Sequence, residues 1–296
     1  MSRQYEIDRP GLDIQDPLLP KEDVIIYDEL NFLAPGVVVF PGLQNTLIHG
    51  FAWGDGIPNY SYIKEPGYPD ESSIDAVKIR IQEFLEKMGS EYKRRVIFQS
   101  LVHEEEILDI DLEYLSTRPA DTRGTYTEGG AFFTKEAGIP FTSTAGDCRY
   151  AIIHADSPGG PLTGIVHGSR NQLDRRLPQR AINHLIYNYG ISPESIRAGI
   201  TPGISQEFHT LQANGLRDRS GWGQYVRYDG GILRLDTQGY FIQQLQEAGV
   251  KHIEAYAEKF CTFRSTSEGQ FNASNRYASN NGTATGRLLI ATQLRG

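Results

Sequence analysis

The sequence predicts an α+β fold: a single domain with mixed and antiparallel sheets and flanking helices. Three observations carry that prediction. Helical stripes occur in only three places, around residues 74–88, 181–189 and 236–248. Much of the remainder consists of short apolar or alternating runs bounded by turn residues, which read as strands. One pair of runs forms a hairpin, with Arg149-Tyr-Ala-Ile-Ile-His154 going out and Leu162-Thr-Gly-Ile-Val166 returning across the turn-rich Asp156-Ser-Pro-Gly-Gly-Pro161. A length of 296 residues with 39% hydrophobic content supports a packed core, and no internal repeat divides it.

Residues 1–35 are polar and proline-bearing and read as an N-terminal extension around a domain spanning 36–296. Within that domain Ser72-Ser-Ile-Asp75 carries a capping-box pattern. Ile74, Val77, Ile81, Phe84, Leu85 and Met88 follow as one apolar helical stripe that stops at Gly89. Arg95 to Val102 is an apolar run that reads as a strand, ended by His103. After Glu104-Glu105-Glu106, the alternation of Ile107 to Glu113 predicts a half-exposed strand with its carboxylates in water. Ala181, Ile182, Leu185, Ile186 and Tyr189 make a second helix ended by Gly190, in which His184 reads as a surface or packing residue. The third helix covers Asp236 to Ala248, before Gly249. Gly124 to Gly130 and the Ser-, Asn-, Gly- and Thr-rich stretch from Asn272 to Gly286 read as loops. Neither has the order of a phosphate-binding P-loop.

Composition narrows the function classes. A formal net charge of −8 argues against a general nucleic-acid surface. No apolar run approaches the roughly 18–20 residues of a membrane span, and Met1 to Pro10 lacks the apolar core of a signal peptide. Two cysteines, Cys148 and Cys261, permit at most one disulfide, so the fold is not disulfide-built. A cytoplasmic protein is the simplest reading, and there Cys148 stays reduced and available as a ligand.

Cys148 and His167 stand at equal distances from the centre of the hairpin turn. In a symmetric register they face each other, with Cβ atoms about 4.5–5.5 Å apart, a gap that one metal ion can bridge. His103, closing a neighbouring strand, is the candidate third donor. A His/Cys/His set with one open position suits a catalytic zinc, because structural zinc is usually closed by four protein ligands. Asp147, next to Cys148, is a candidate to orient an imidazole. The same pair also suits a cysteine hydrolase in which Cys148 is the nucleophile and His167 the base.

Leu101-Val-His103, Thr144-Ala-Gly-Asp-Cys148 and Gly164-Ile-Val-His167 together resemble the YfiH-like proteins, also called the polyphenol oxidase or laccase-domain family. The resemblance continues in His49-Gly-Phe51, in Gly199-Ile-Thr-Pro-Gly-Ile204, in Leu245 to Ile253 before Cys261-Thr262, and in Thr285-Gly-Arg287. It implies a YfiH-like fold and a zinc held by two histidines and a cysteine, here His103, Cys148 and His167. It also implies a pocket often placed at a subunit contact, hence a homo-oligomer, and phosphorolysis or deamination of purine nucleosides, so that the small-molecule partners are a nucleoside and phosphate. The older laccase label implies copper-dependent phenol oxidation. With seven histidines and no His-x-His pair, the chain is poorly equipped to hold several coppers.

The departures from the pattern lie around the metal residues. Gly168-Ser-Arg-Asn-Gln172 stands where the family reads Ala-Gly-Trp-Arg-Gly, placing Arg170 at the tryptophan position and Asn171 at the arginine position. Leu101 replaces a glutamine, Glu104 a glycine, and Gly129-Gly130-Ala131 an Ala-Asp-Ala element. Phosphorolysis needs a cation to position phosphate, and Arg149, Arg170 and Arg287 are the candidates, since guanidinium groups bind phosphate through paired donors. Loss of the Trp-Arg pair leaves a further alternative, a metal-binding protein without catalysis.

Overall fold

Hydrophobic patterning in this chain produces two large sheets stacked face to face, each with its outer surface closed by helices. The computed structural model describes residues 23–54, 60, 74–90, 97–99, 105–117, 125–212, 221–270, 274–281 and 287–295. Among these the order is β1 (Val24–Tyr27), β2 (Phe32–Ala34), β3 (Val37–Val38), β4 (Leu47–Ala52), α1 (Ile74–Lys87), β5 (Ile97–Gln99), β6 (Ile107–Asp109), α2 (Leu112–Thr117), β7 (Thr125–Thr127), β8 (Ala131–Thr134) and β9 (Phe141–Ala145). There follow β10 (Arg149–Ser157), β11 (Gly160–Gly168), α3 (Arg170–Asp174), α4 (Leu177–Tyr189), β12 (Ile196–Ile200), β13 (Thr210–Gln212), β14 (Val226–Asp229) and β15 (Ile232–Leu235). The chain closes with α5 (Thr237–Glu247), β16 (His252–Tyr256), α6 (Thr262–Ser267), α7 (Asn275–Asn281) and β17 (Leu288–Leu294).

One seven-stranded sheet runs β1-β16-β12-β10-β11-β8-β6 and the other β2-β3-β4-β17-β9-β5-β7, with β13-β15-β14 as a small third sheet. Pairing is mixed: β10 is antiparallel to both β11 and β12, whereas β12 and β16 are parallel. This is a single α+β domain, as the sequence predicts. Residues 24–34 supply an edge strand to each large sheet, β1 beside β16 and β2 beside β3.

The period of two along each strand distributes the core. In β10, Tyr150 and Ile152 point between the sheets, where they meet Ile165, Phe141, Leu288 and Ile290. Ala151 and Ile153 point the other way, onto Leu177, Ala181, Ile182 and Leu185 of α4 and Phe241 and Leu245 of α5. The outer face of the second sheet is covered by Val77, Ile81, Phe84 and Leu85 of α1, which pack on Leu289 and Ala291 of β17. Phe40, Phe51 and Tyr256 cluster between the sheets, with ring centroids 5.4–5.6 Å apart.

Helix ends are set by local chemistry. Asp236 caps α5 by accepting from the Gly239 amide at 2.7 Å, and α4 ends on Gly190 in the left-handed conformation, φ 63°. Three expectations are corrected, the first for Gly124 to Gly130, which holds β7 and is not all loop. Residues 107–113 are not one strand: β6 ends at Asp109, and Asp111 accepts from the Tyr114 amide at 2.6 Å to start α2. The stretch from Asn272 to Gly286 is not all loop, because α7 lies inside it, begun by the Ser274 hydroxyl accepting from the Tyr277 amide at 3.1 Å. No helix among the described residues is long and apolar enough to cross a membrane.

Candidate active site

The site lies where β10 begins and β11 ends. The hairpin turn is shorter than the sequence suggests: β10 reaches Ser157, β11 starts at Gly160, and only residues 158 and 159 lie between. The ladder therefore pairs His167 with Tyr150, not with Cys148. The expectation that Cys148 directly faces His167 is corrected by two residues. A shift of two preserves the face, so the two side chains become diagonal neighbours, a spacing of about 7–8 Å between such positions. His167 is buried, and its ring stacks on that of Tyr150 with centroids 4.4 Å apart and planes 9° from parallel.

Cys148 is half-buried at the wall of a 210 Å³ cavity. Burial pushes its thiol up to about 12, the neighbouring Asp147 carboxylate acts in the same direction, and Arg287 opposes both. Without a cation the sulfur is protonated at neutral pH; a bound metal ion reverses that preference. His103 lies outside the described residues, as does Thr285-Gly286. Among the described residues no three His, Cys, Asp or Glu side chains gather closely enough to hold a metal ion. Cys148 immediately precedes β10, and its thiol and the His167 imidazole are both donor types that zinc accepts.

Asp147 joins three segments. Its backbone oxygen accepts from the Ile204 amide at 3.0 Å, and its carboxylate accepts from Thr262 Oγ1 at 2.8 Å and from the Arg276 amide at 2.7 Å. Burial raises its pKa against the pull of those bonds. Asp147 thereby ties the start of β10 to α6 and to the first turn of α7.

The three arginines marked in the sequence have different surroundings. Arg149 is buried, and its guanidinium donates to Gln238 Oε1 (2.6 Å), Glu258 Oε1 (2.5 Å), Thr237 Oγ1 (3.3 Å) and the carbonyls of Ile204 (3.1 Å) and Thr201 (3.5 Å). Gly203 must be glycine beside it, since a Cβ there would sit 2.7 Å from Arg149 Cγ and 2.8 Å from the Asp147 oxygen. That contact locks the 201–204 loop against the start of β10. Arg287 is buried and acts electrostatically on Cys148 and Tyr150. Arg170 lines the cavity at the first position of α3, a helix fixed by a reciprocal cap between Ser169 and Gln172. Its Nε and one terminal nitrogen donate to Asn171 Oδ1 at 3.3 and 3.0 Å.

Three more cavity residues carry polar groups that the sequence did not single out: Arg276 from α7, His209 from the loop before β13, and Thr237 from the start of α5. His209 is pushed down to about 3, first by burial and then by Arg276, Arg170 and Arg149, so it is neutral at physiological pH. Arg276 sits in a stretch whose composition reads as loop. His209 is one of seven histidines and has no local pattern to distinguish it.

Comparison with solved structures shows the same fold in the Bacillus licheniformis hypothetical protein YfiH, with a TM-score of 0.69 and 19% identity over 91% of this chain and 100% of that one. YlmD from Geobacillus stearothermophilus gives 0.69 and 21% over 91% and 100%. The Neisseria meningitidis protein NMB0706 gives 0.59 and 17% over 90% and 98%. No curated protein matches the chain. A family model described as multi-copper polyphenol oxidoreductase laccase matches residues 67–295. That span is well over half of the sequence and includes every element around the cavity, and the chain belongs to this YfiH-like, laccase-domain family.

Proposed function

We propose that the protein is a zinc-dependent enzyme acting on purine nucleosides, by phosphorolysis, by deamination of adenosine, or by both. The observation that carries this reading is the cavity where β10 begins and β11 ends, whose wall is shared by Cys148, Arg170 and Arg276. His103, Cys148 and His167 would hold the zinc. One thiolate and two imidazoles leave a single open position in a tetrahedral site, the arrangement of catalytic zinc, and they are too few for several coppers. When bound, zinc supplies Lewis acidity towards whatever occupies that position.

The chain's own groups supply orientation. The Tyr150 ring fixes the plane of His167 by stacking, and Tyr150 Oη is itself anchored by donating to the Thr144 carbonyl at 3.3 Å. Asp147 holds α7 so that Arg276 reaches the cavity. Arg149 fixes the 201–204 loop through its bonds to the Thr201 and Ile204 carbonyls, which makes it a positioning residue on this reading. Burial leaves the Cys148 sulfur a poor nucleophile in the absence of a cation, which weighs against a cysteine hydrolase.

The test is a turnover screen of adenosine, inosine and guanosine with and without phosphate, following base and ammonia release by chromatography. Nucleoside turnover that disappears in Cys148→Ala and His167→Ala is the expected result. Full activity in either variant, or no turnover of any nucleoside by zinc-loaded wild type, would overturn the reading.

A further inference from the structure

We infer that the cavity beside Cys148 is a phosphoryl-binding subsite gripped by the guanidinium groups of Arg170 and Arg276, which are brought together from α3 and α7. It deepens the nucleoside reading by naming the group that this part of the site holds, and it rests on that reading only for the rest of the ligand.

The chain carries a net charge of −8, so carboxylates are plentiful. Arg149, Arg175, Arg176, Arg180 and Arg264 each pair with a glutamate. Arg170 instead donates to the neutral amide of Asn171, and among the described residues neither Arg170 nor Arg276 forms an ion pair with a carboxylate. Among the described residues the cavity wall carries one carboxylate, Asp147. Its two oxygens already accept from Thr262 Oγ1 and from the backbone amide of Arg276, and it acts on the Arg276 charge without forming a salt bridge with it. Two arginines line a cavity whose described carboxylate is engaged by other hydrogen bonds, which leaves room for an anionic ligand. Guanidinium groups meet phosphate oxygens with paired, parallel donors.

A histidine shares the cavity with the two arginines. His209 lines the same cavity, and its Nδ1 is buried with no hydrogen-bond partner among the described residues. Arg170 and Arg276 line this same cavity, and both act electrostatically on the ring, as Arg149 does. Buried polar atoms are seldom left unpaired, so this nitrogen marks a second unmet contact in the same place. Thr237 adds a hydroxyl whose oxygen already accepts from Arg149 Nε, leaving its hydrogen to donate. At 210 Å³ the cavity is smaller than the ~300–1,000 Å³ pockets that enclose drug-sized ligands. That size suits a phosphoryl group with its immediate attachment better than a whole nucleoside. The phosphoryl group has two sources, inorganic phosphate or the 5′-phosphate of a nucleotide.

Calorimetric titration of the full chain with inorganic phosphate, with adenosine 5′-monophosphate and with adenosine tests the assignment. Arg170→Gln and Arg276→Gln should each weaken binding of the phosphate-bearing probe about tenfold or more. Arg276→Lys should recover part of the loss, and circular dichroism of each variant should match wild type. Arg-dependent binding of inorganic phosphate identifies the free anion as the ligand, and Arg-dependent binding of the nucleotide alone identifies the 5′-phosphate. Folded variants that bind both probes as wild type does, or a wild type that binds neither, overturn the subsite. Phosphate binding without turnover of any nucleoside would retain the subsite and reject the nucleoside reading. Adenosine deamination indifferent to both arginines would do the reverse.

Discussion

Replacing Arg149 with methionine separates a structural arginine from a substrate ligand. The guanidinium is buried and makes five hydrogen bonds, to two side-chain amide or hydroxyl oxygens, two backbone carbonyls and the Glu258 carboxylate. Methionine keeps much of the aliphatic stem and removes every donor. Breaking a buried pair by deleting one partner costs about 3–5 kcal/mol. The Glu258 side chain is 39% exposed, so its carboxylate can turn to water, and its share is discounted towards the small value of a surface ion pair. What remains is the stranding of Gln238 Oε1 and the Thr201 and Ile204 carbonyls, which keeps the loss near the lower end, about 3 kcal/mol. In urea, with a slope of about 2–3 kcal/mol/M, the unfolding midpoint should fall by roughly 1–1.5 M while the slope is unchanged. An unchanged midpoint together with a large rise in the KM for phosphate would refute this account and make Arg149 a substrate ligand.

Two further perturbations test the packing and the protonation of the framework. Gly168→Ala would bring a Cβ to 2.3 Å and 2.5 Å from two carbons of the Phe241 ring, which is fully buried on α5; the overpacking should cost about 1–3 kcal/mol, read as a lower Tm, and an unchanged Tm would show that the ring can yield. Burial holds His49 down at about 4, and its Nε2 accepts from the Phe40 amide at 2.9 Å. The unfolded chain takes up a proton below its ordinary value near 6.5, while the native state does so only near 4. The His49 contribution is therefore complete above pH 6.5 and is lost as pH falls towards 4, about 3 kcal/mol in all. His49→Gln should flatten that part of the stability profile, and an identical acid slope in wild type and variant would contradict the assignment.

The parts of this fold that are written locally could be read from the sequence, and the parts set by distant contacts could not. The stripes around 77–88, 181–189 and 236–248 are helices because each presents one apolar face to a sheet. The hairpin strands were legible, but their register was not, because Ser157-Pro-Gly-Gly160 accommodates turns of several lengths and a two-residue turn slides the ladder by two. The alternation of Ile107 to Glu113 also contains a capping aspartate, Asp111, and the cap prevails. The helix α7 hides in a composition typical of loops; its start depends partly on Asp147, 129 positions away in the chain. Arg276 and His209 reach the cavity by that same non-local route, so no sequence window could have paired them with Arg170.

The central claim, a zinc centre shared by His103, Cys148 and His167, is tested most directly by elemental analysis of protein purified without added metal. Wild type should carry stoichiometric zinc, and His103→Ala, Cys148→Ala and His167→Ala should each lose it while circular dichroism shows the fold retained, since the soft thiolate and the imidazoles supply the whole donor set. Full zinc occupancy in the Cys148→Ala protein, or a metal-free wild type that turns over nucleosides, would contradict the account.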